Sequence, residues 1–203
     1  VLLNHWGAVL DNFDPRIVDA LASRHRVIAI DYRGIGGSGG EAPLTIGEMA
    51  QDTINLIREL GFEKVDLIGF SLGGFVALRL AARRPELLRT AAALGSSAEE
   101  EHKLAEFAPL VEHLTEHGTA DVVDTVMYIM FGDSSLAQES SMTSTWRAAI
   151  ARLEPRIGDA AHGVIHRGRI VEELAGCRVP VLAVAGTEDH AYPPPISSAN
   201  IAD

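Results

Sequence analysis

The stretch that decides the fold is Gly69-Phe70-Ser71-Leu72-Gly73. The apolar run from Val65 to Phe70 leads into it and is typical of a β-strand covered on both faces. A run rich in Ala and Leu follows from Leu72 to Arg84, ends before Pro85 and is typical of a helix. A strand that turns directly into a helix strains the residue between them and exposes its side chain. The sequence therefore predicts that Ser71 projects from a sharp strand-to-helix turn.

The glycines of this turn indicate its chemistry, because Gly-x-Ser-x-Gly between a strand and a helix is the pattern of a nucleophile elbow. Side chains at Gly69 and Gly73 would collide with neighbouring atoms in so tight a turn. The Leu72 amide would lie at a helix N-terminus, where unpaired N–H groups stabilise a developing negative charge. We therefore predict Ser71 as a nucleophile and the Leu72 amide as one donor of an oxyanion hole.

Other segments extend the strand and helix around the turn into a sheet. Thr45 and Glu48 have the spacing of a capping box that begins a helix, and Gly61 is placed to end it. Alternating strands and helices predict right-handed βαβ units. The predicted fold class is α/β, with a mostly parallel central sheet flanked by helices. Its further strands are predicted at Val27 to Ile30, Thr90 to Leu94 and Val179 to Ala185.

Residues 97–176 show helical periodicity without strand signals and predict an all-helical insertion that packs over one end of the sheet as a lid. The chain then divides into the N-terminal part of the core at residues 1–96, the lid at 97–176, and an incomplete C-terminal part of the core at 177–203. Bulky side chains of the insertion are candidate walls of a substrate pocket, although such residues more often form the core of the lid itself: Phe107, Met127, Met130, Phe131 and Trp146.

Composition narrows the classes of partner. The chain has 17 Lys and Arg against 28 Asp and Glu, and this net charge of −11 would repel a nucleic acid. No apolar run reaches the roughly 20 residues that a membrane-spanning helix requires. The single cysteine, Cys177, favours a reducing compartment. We expect a cytoplasmic protein with a small-molecule substrate and neither nucleic acid nor membrane as partner, and the composition leaves the oligomeric state open.

Two motifs imitate cofactor and metal sites. Gly34 to Gly39 matches G-x-G-x-x-G, but the next helix is predicted only from Thr45, so these glycines do not open a helix that could hold a pyrophosphate. His113 to His117 matches H-x-x-E-H, but no third ligand is placed by the sequence, and a solvated helix face is the better interpretation. We therefore expect no cofactor and no metal.

The turn segments together resemble the α/β-hydrolase family over nearly the whole chain. They are Leu2-Leu3-Asn4-His5-Trp6-Gly7, Asp31-Tyr32-Arg33-Gly34-Ile35-Gly36-Gly37-Ser38 and the elbow around Ser71. In this family a His-Gly-x turn after an early strand supplies the second oxyanion amide. The resemblance implies that Asn4-His5-Trp6 is this turn and that the Trp6 amide is the donor. Matching His5 to the family histidine would move the donor to Gly7.

The resemblance also implies a triad acid after a late strand. Val179 to Ala185 leads into Gly186-Thr187-Glu188-Asp189-His190, where Asp189 is the candidate acid and Glu188 the alternative. In the family order the triad histidine follows the acid after one further helix and strand. We expect a chain truncated at both ends that lacks this histidine, and neither His5 nor His190 is a convincing substitute.

The implied activity is that of a serine hydrolase that forms an acyl-enzyme on a small, uncharged or modestly apolar ester, lactone or related carbonyl compound. One alternative keeps Ser71 in a perhydrolase, a haloperoxidase-like enzyme or a carbon–carbon-bond hydrolase of the same fold, and substrate profiling would separate these. Another is a non-catalytic ligand-binding protein, because a fold does not fix a function. The presence of both Ser71 and Asp189 argues against this second alternative.

Overall fold

A computed structural model describes residues 1–138, 140–194 and 196–202 of the protein. Within them, five strands form one sheet in the order β2-β1-β3-β4-β5, and every neighbouring pair is parallel. The predicted α/β class with a mostly parallel sheet is therefore confirmed. The strands are β1 Leu2–Leu3, β2 Ala29–Ile30, β3 Val65–Phe70, β4 Leu88–Leu94 and β5 Val181–Val184.

Helices connect and cover these strands. None of the helices in the described ranges is long and apolar enough to cross a bilayer. They are α1 Pro15–Ala22, α2 Ile46–Glu59, α3 Leu72–Arg83, α4 Leu104–His117, α5 Val123–Met130, α6 Asp133–Ala137, α7 Ser141–Ile150, α8 Ile157–Ile165, α9 Val171–Leu174 and α10 Ser198–Ala202, with 3-10 turns at Leu10–Asn12 and Pro85–Leu87.

The predicted start of α2 is confirmed. The Thr45 hydroxyl accepts a hydrogen bond from the Glu48 amide at 3.1 Å, and the Glu48 carboxylate accepts one from the Thr45 amide at 3.2 Å. Gly61 follows the helix with a φ of +71°, in the left-handed region that favours glycine. Because these signals are local in sequence, they could be identified without knowledge of the tertiary structure.

Strand boundaries differ from the predicted runs at several ends. The first predicted run shortens to Ala29–Ile30, and β4 begins at Leu88, directly after a 3-10 turn. The two-residue strand β1 was not among the predicted runs, although it lies between β2 and β3. In β5, at the edge of the described sheet, Leu182 and Val184 are 60% and 45% exposed. Apolar alternation therefore locates a strand better than it locates the strand's ends.

Helix α3 lies at the centre of the core, because one side of it covers the sheet and another contacts α2. Its apolar side chains, including Phe75, Val76 and Leu80, are almost completely buried. The register aligns Gly69 of β3 with Leu3 of β1 and Ala93 of β4. Since the strands are parallel, their carboxyl ends meet at one edge of the sheet, where the predicted site segments emerge.

Residues 97–176 contain helices α4 to α9 and no strand in their described part. Helix α4 packs on α8, and α5 packs on α7. Small apolar clusters hold these pairs together; Phe107, Val111 and Ile165 belong to one, and Val126, Met127 and Ile150 to another. The action of this helical segment as a lid stays a prediction.

Replacing Gly69 by alanine should strongly destabilise the fold. A Cβ atom at Gly69 would lie 2.0 Å from the carbonyl oxygen of Gly73, in the first turn of α3, and backbone there cannot move without breaking the helix. We expect a loss of about 3 kcal/mol or more in the free energy of unfolding, measured by urea denaturation. Gly39→Ala is the control, because nothing lies within 4 Å of a Cβ at that position. Equal midpoints for the two variants would contradict the argument.

Candidate active site

Ser71 occupies a strained position at the strand-to-helix turn. Its φ of 49° and ψ of −111° make it the one non-glycine residue with positive φ in the described ranges. The Ser71 amide donates to the Leu94 carbonyl at 2.8 Å, and the Ser96 hydroxyl donates to the Ser71 carbonyl at 2.8 Å. The neighbouring end of β4 therefore holds the strained backbone in place, as expected where a side chain is displayed for function.

The two amides predicted for the oxyanion hole are both free to donate. Neither the Leu72 nor the Trp6 amide donates a hydrogen bond to any described residue. Trp6 belongs to a turn in which the Ala8 amide approaches the His5 carbonyl at 3.4 Å and Gly7 has a φ of +78°. Its indole nitrogen donates to the Ile157 carbonyl at 2.9 Å, so α8 anchors the turn. Unpaired amides of this kind suit a developing oxyanion.

A cavity of about 610 Å³ opens at this edge of the sheet. Ser71, Trp6 and Asp189 all line it, whereas Gly7 and Leu72 line only a separate and much smaller void that Trp6 also borders. This placement favours Trp6 over Gly7 as the residue that faces a substrate. Leu72 remains a candidate donor of the oxyanion hole, because the donor is its backbone amide, which directly follows Ser71.

The wall of the cavity is partly the predicted one. Phe107, Met130 and Phe131 line it, but Met127 and Trp146 do not. Met127 is 1% exposed within the core between α5 and α7, and Trp146 packs against the His5 ring instead. The wall also contains apolar residues that the sequence argument missed, although the helical periodicity of α4 could have identified the first two: Leu110, Val111, Val126, Ile129, Val164 and Ile165.

Asp189 is held by the loop that follows β5. Its Oδ1 accepts hydrogen bonds from the amides of Ala191 at 2.9 Å and Tyr192 at 2.7 Å. Its Oδ2 would lie 3.4 Å from a Cβ at Gly95, the residue just after β4. One carboxylate oxygen is therefore anchored and the other faces the end of the neighbouring strand, as a group that orients an imidazole must.

Glu188, the alternative acid, is turned away from this arrangement. Its carboxylate accepts from the Ser134 amide at 2.9 Å and from the Ser134 hydroxyl at 2.8 Å, at the start of α6. These hydrogen bonds lower the pKa of Glu188 because they stabilise its charged form. The geometry therefore favours Asp189, and the catalytic role of Asp189 stays a proposal.

His5 is a buried imidazole in the cavity wall. Its Nδ1 donates to the Trp6 carbonyl at 2.7 Å, since a carbonyl only accepts, and its ring lies 5.0 Å from the rings of Phe70 and Trp146. Burial among these rings lowers the pKa of His5 from 6.5 to about 4, because it disfavours the charged form. His5 is therefore neutral at pH 7 and helps to shape the turn at Trp6.

Because of the low pKa of His5, the free energy of unfolding should decrease as the pH is lowered. Between pH 6.5 and about 4 the unfolded chain binds a proton at His5 that the folded chain does not bind. The stability that neutral His5 allows is therefore complete above pH 6.5 and is lost toward pH 4, by at most about 3.4 kcal/mol. Urea denaturation at several pH values should show this loss, and His5→Gln should reduce it. An unchanged pH dependence in His5→Gln would contradict the assignment.

His190, the other imidazole of the cavity, is also engaged elsewhere. Its Nδ1 donates to the Tyr128 carbonyl at 2.6 Å, its ring stacks on the Tyr128 ring at 4.1 Å, and its Nε2 lies 3.3 Å from Asp133. Neither His5 nor His190 is hydrogen-bonded to Ser71 or Asp189. The described residues thus bring together the predicted nucleophile and acid without an imidazole that joins them.

Neither the G-x-G-x-x-G segment nor the H-x-x-E-H segment has the geometry of the cofactor or metal site that its sequence pattern suggests. The glycine-rich segment wraps around Asp31, whose carboxylate accepts from the Gly37 amide at 2.9 Å, and the next helix begins only at Ile46. On α4, His113 instead pairs with Asp121 at 2.9 Å. Across residues 1–138, 140–194 and 196–202, no three His, Cys, Asp or Glu side chains gather as a metal site would require.

Comparisons with known proteins agree with this architecture. A putative carbamate hydrolase, RutD of Rhizobium rhizogenes, is 28% identical over 92% of this chain and 72% of its own length. The 3-oxoadipate enol-lactonase 1 of Acinetobacter baylyi is 25% identical over 93% of this chain and 70% of its own length. The crystal structure of the enol-lactonase from Burkholderia xenovorans LB400 superimposes with a TM-score of 0.87 and 25% identity, covering 99% of this chain and 76% of that one.

The family assignment rests on a match to a family model that covers more than half of the chain. Residues 1–124 match the family model described as the alpha/beta hydrolase fold, and this range includes β1 to β4 and the turn at Ser71. The relatives named above are hydrolases of this fold. The chain therefore belongs to the α/β-hydrolase family.

Proposed function

We propose that the chain carries the nucleophile and the triad acid of a serine hydrolase that cleaves an ester, a lactone or a related carbonyl compound. The observation that carries the proposal is the strained Ser71, displayed at a strand-to-helix turn into the cavity that Asp189 also lines. A backbone conformation that costs of order 1–3 kcal/mol is retained where the displayed side chain is functional. In a nucleophile elbow, the nucleophilic serine lies at a strained strand-to-helix turn of this kind, which exposes its hydroxyl.

In the proposed reaction the Ser71 hydroxyl oxygen attacks the carbonyl carbon while a histidine takes its proton. The Leu72 and Trp6 amides donate hydrogen bonds to the resulting oxyanion. When the tetrahedral intermediate collapses, the histidine returns the proton to the leaving oxygen, and the acyl group stays on Ser71. Water then attacks this ester in the same way and releases the acid. Asp189 accepts a hydrogen bond from the histidine throughout and stays ionised.

The histidine of this scheme is proposed to lie outside residues 1–203 in the natural polypeptide, because both cavity imidazoles are engaged elsewhere. His5 donates to the Trp6 carbonyl and His190 to the Tyr128 carbonyl. If this is correct, a polypeptide of only these 203 residues should hydrolyse an activated ester faster when free imidazole is added. A histidine-dependent reaction that needs His5 or His190 would contradict it.

The substrate is proposed to be uncharged or modestly apolar. No lysine or arginine lines the described part of the cavity, and its far wall is made by apolar side chains of α4, α5 and α8. The names of the relatives include a carbamate hydrolase, an enol-lactonase and a methyl ester esterase, whose substrates share a carbonyl with an oxygen or nitrogen leaving group. We further propose that the helical segment 97–176 serves as the lid, and that the enzyme acts in the cytoplasm.

A fluorophosphonate probe tests this function, because it labels only serines activated as nucleophiles. The natural polypeptide that carries residues 1–203 would be treated with the probe and digested, and the labelled residue would be identified by mass spectrometry. We expect a single adduct on Ser71 and none on Ser135, a serine that lines the same cavity. A folded protein without an adduct, but with ligand binding, would favour the non-catalytic alternative.

A further inference from the structure

A buried ionic cluster lies beneath the loop of Asp189, and the proposed reaction does not use it. The side chains of Arg167 and Glu101 are only 2% and 0% exposed, and they form an ion pair at 2.8 Å. The Tyr192 hydroxyl donates to the same Glu101 oxygen at 2.8 Å. Arg167 follows α8 and Glu101 follows β4, so the cluster joins segments that are distant in sequence.

The guanidinium of Arg167 is also held between two aromatic rings. Its central carbon lies 4.2 Å from the ring centre of Phe75 and 4.9 Å from that of Tyr192, and the two rings meet edge to face at 5.2 Å. Its nitrogens donate to the carbonyls of Glu99 and Val164. Stacking and hydrogen bonds together leave Arg167 a single orientation.

Both aromatic neighbours connect the cluster to the proposed catalytic groups. Phe75 lies in the first turn of α3, and its amide donates to the Ser71 carbonyl at 3.1 Å. The Tyr192 amide donates to Asp189 Oδ1 at 2.7 Å. Arg167 therefore lies between the residue bonded to the Ser71 backbone and the residue bonded to the Asp189 carboxylate.

We propose that Arg167, Glu101 and Tyr192 are positioning residues that fix the Asp189 carboxylate relative to Ser71. This inference rests on the proposed hydrolase function. The energetics support a positional role, because a buried ion pair contributes little net stability compared with apolar residues of similar volume. A cluster that adds little stability, yet contacts both sides of the site, is explained by the precision that catalysis requires.

A double variant separates positioning from stability. Glu101→Leu combined with Arg167→Met replaces the ion pair by apolar side chains, and we expect a folded protein whose melting temperature lies within a few degrees of the wild type, because the gain is offset by the Tyr192 hydroxyl that loses its acceptor. Its kcat should nevertheless fall about tenfold or more, with KM changed less than twofold. Tyr192→Phe, which removes only a hydroxyl, should lower kcat in the same direction. The concentration of active sites is measured by titration with a fluorophosphonate, and kcat is calculated from that concentration. Unfolded molecules therefore do not lower the kcat that is obtained.

The control is Arg83→Met, which breaks the exposed ion pair with Glu173 between α3 and α9 and should leave kcat unchanged. Wild-type kcat in both Tyr192→Phe and the double variant would overturn the positioning role. If the double variant does not fold, Tyr192→Phe decides alone. Activity that persists in Ser71→Ala would instead overturn the hydrolase proposal, so the two failures are distinguishable.

Discussion

Replacing Ser71 by alanine should lower kcat by about a million-fold, as expected when the nucleophile of a triad is removed. Alanine has the same Cβ atom as serine, so the steric strain of the backbone at a φ of 49° should not change. The backbone bonds of Ser71 to Leu94 and Ser96 do not involve its hydroxyl and should remain. We therefore expect a melting temperature close to that of the wild type. The measurement is steady-state hydrolysis of a p-nitrophenyl ester by the natural polypeptide.

Ser135→Ala is the matched control for this prediction. Ser135 lines the same cavity on the side of α6, but it is not part of the strand-to-helix turn. Its removal should change kcat by no more than a few-fold. Comparable losses in both variants would mean that a general disturbance of the cavity explains the effect. Substantial activity in Ser71→Ala would exclude Ser71 as the nucleophile.

The turn at Ser71 could be predicted in detail because its determinants are local. Seven consecutive residues contain the end of a strand, the start of a helix and the glycines that the turn requires. The structure shows why Gly73 is needed as well, since a Cβ atom there would lie 2.3 Å from the Leu3 carbonyl oxygen. The fold class followed from the same kind of local evidence, namely alternating strands and helices with recognisable caps.

The cavity wall was harder to predict because it depends on how helices pack. Periodicity identified α5 and α7 as amphipathic, but it could not tell which apolar side chains face the cavity and which face another helix. Met127 turns toward α7 and Trp146 packs against His5, so both belong to the packing of the helical segment, the alternative that the sequence left open, and not to the cavity wall. Val164 of α8 enters the wall instead, through the contact between α4 and α8.

The buried ionic cluster could not have been found from the sequence. Charged residues are mostly exposed, and Arg167 and Glu101 lie in polar segments that suggest a solvated surface. Only the tertiary contact between the segments that follow α8 and β4 removes both from water. For Asp189 and Glu188, which are adjacent in sequence, the family resemblance favoured Asp189, and their different hydrogen-bond partners supply the structural reason.

Replacing Asp189 by asparagine should lower kcat by about ten-thousand-fold, with little change in stability. The asparagine oxygen can still accept from the amides of Ala191 and Tyr192, so the loop after β5 should keep its conformation. The group that replaces Oδ2 is an NH₂, which donates where the carboxylate accepts. It therefore favours the wrong tautomer of the catalytic histidine and cannot stabilise the imidazolium that forms during the reaction.

Glu188→Gln is the matched control, because it removes a neighbouring negative charge without touching the anchored Asp189. Its side-chain oxygen can still accept a hydrogen bond from Ser134, and we expect kcat within a few-fold of the wild type. Steady-state kinetics of both variants on the same ester, with melting temperatures measured in parallel, decides between the two carboxylates. A larger loss in Glu188→Gln than in Asp189→Asn would reverse the assignment, because the residue that orients the histidine must be the one whose charge the reaction requires.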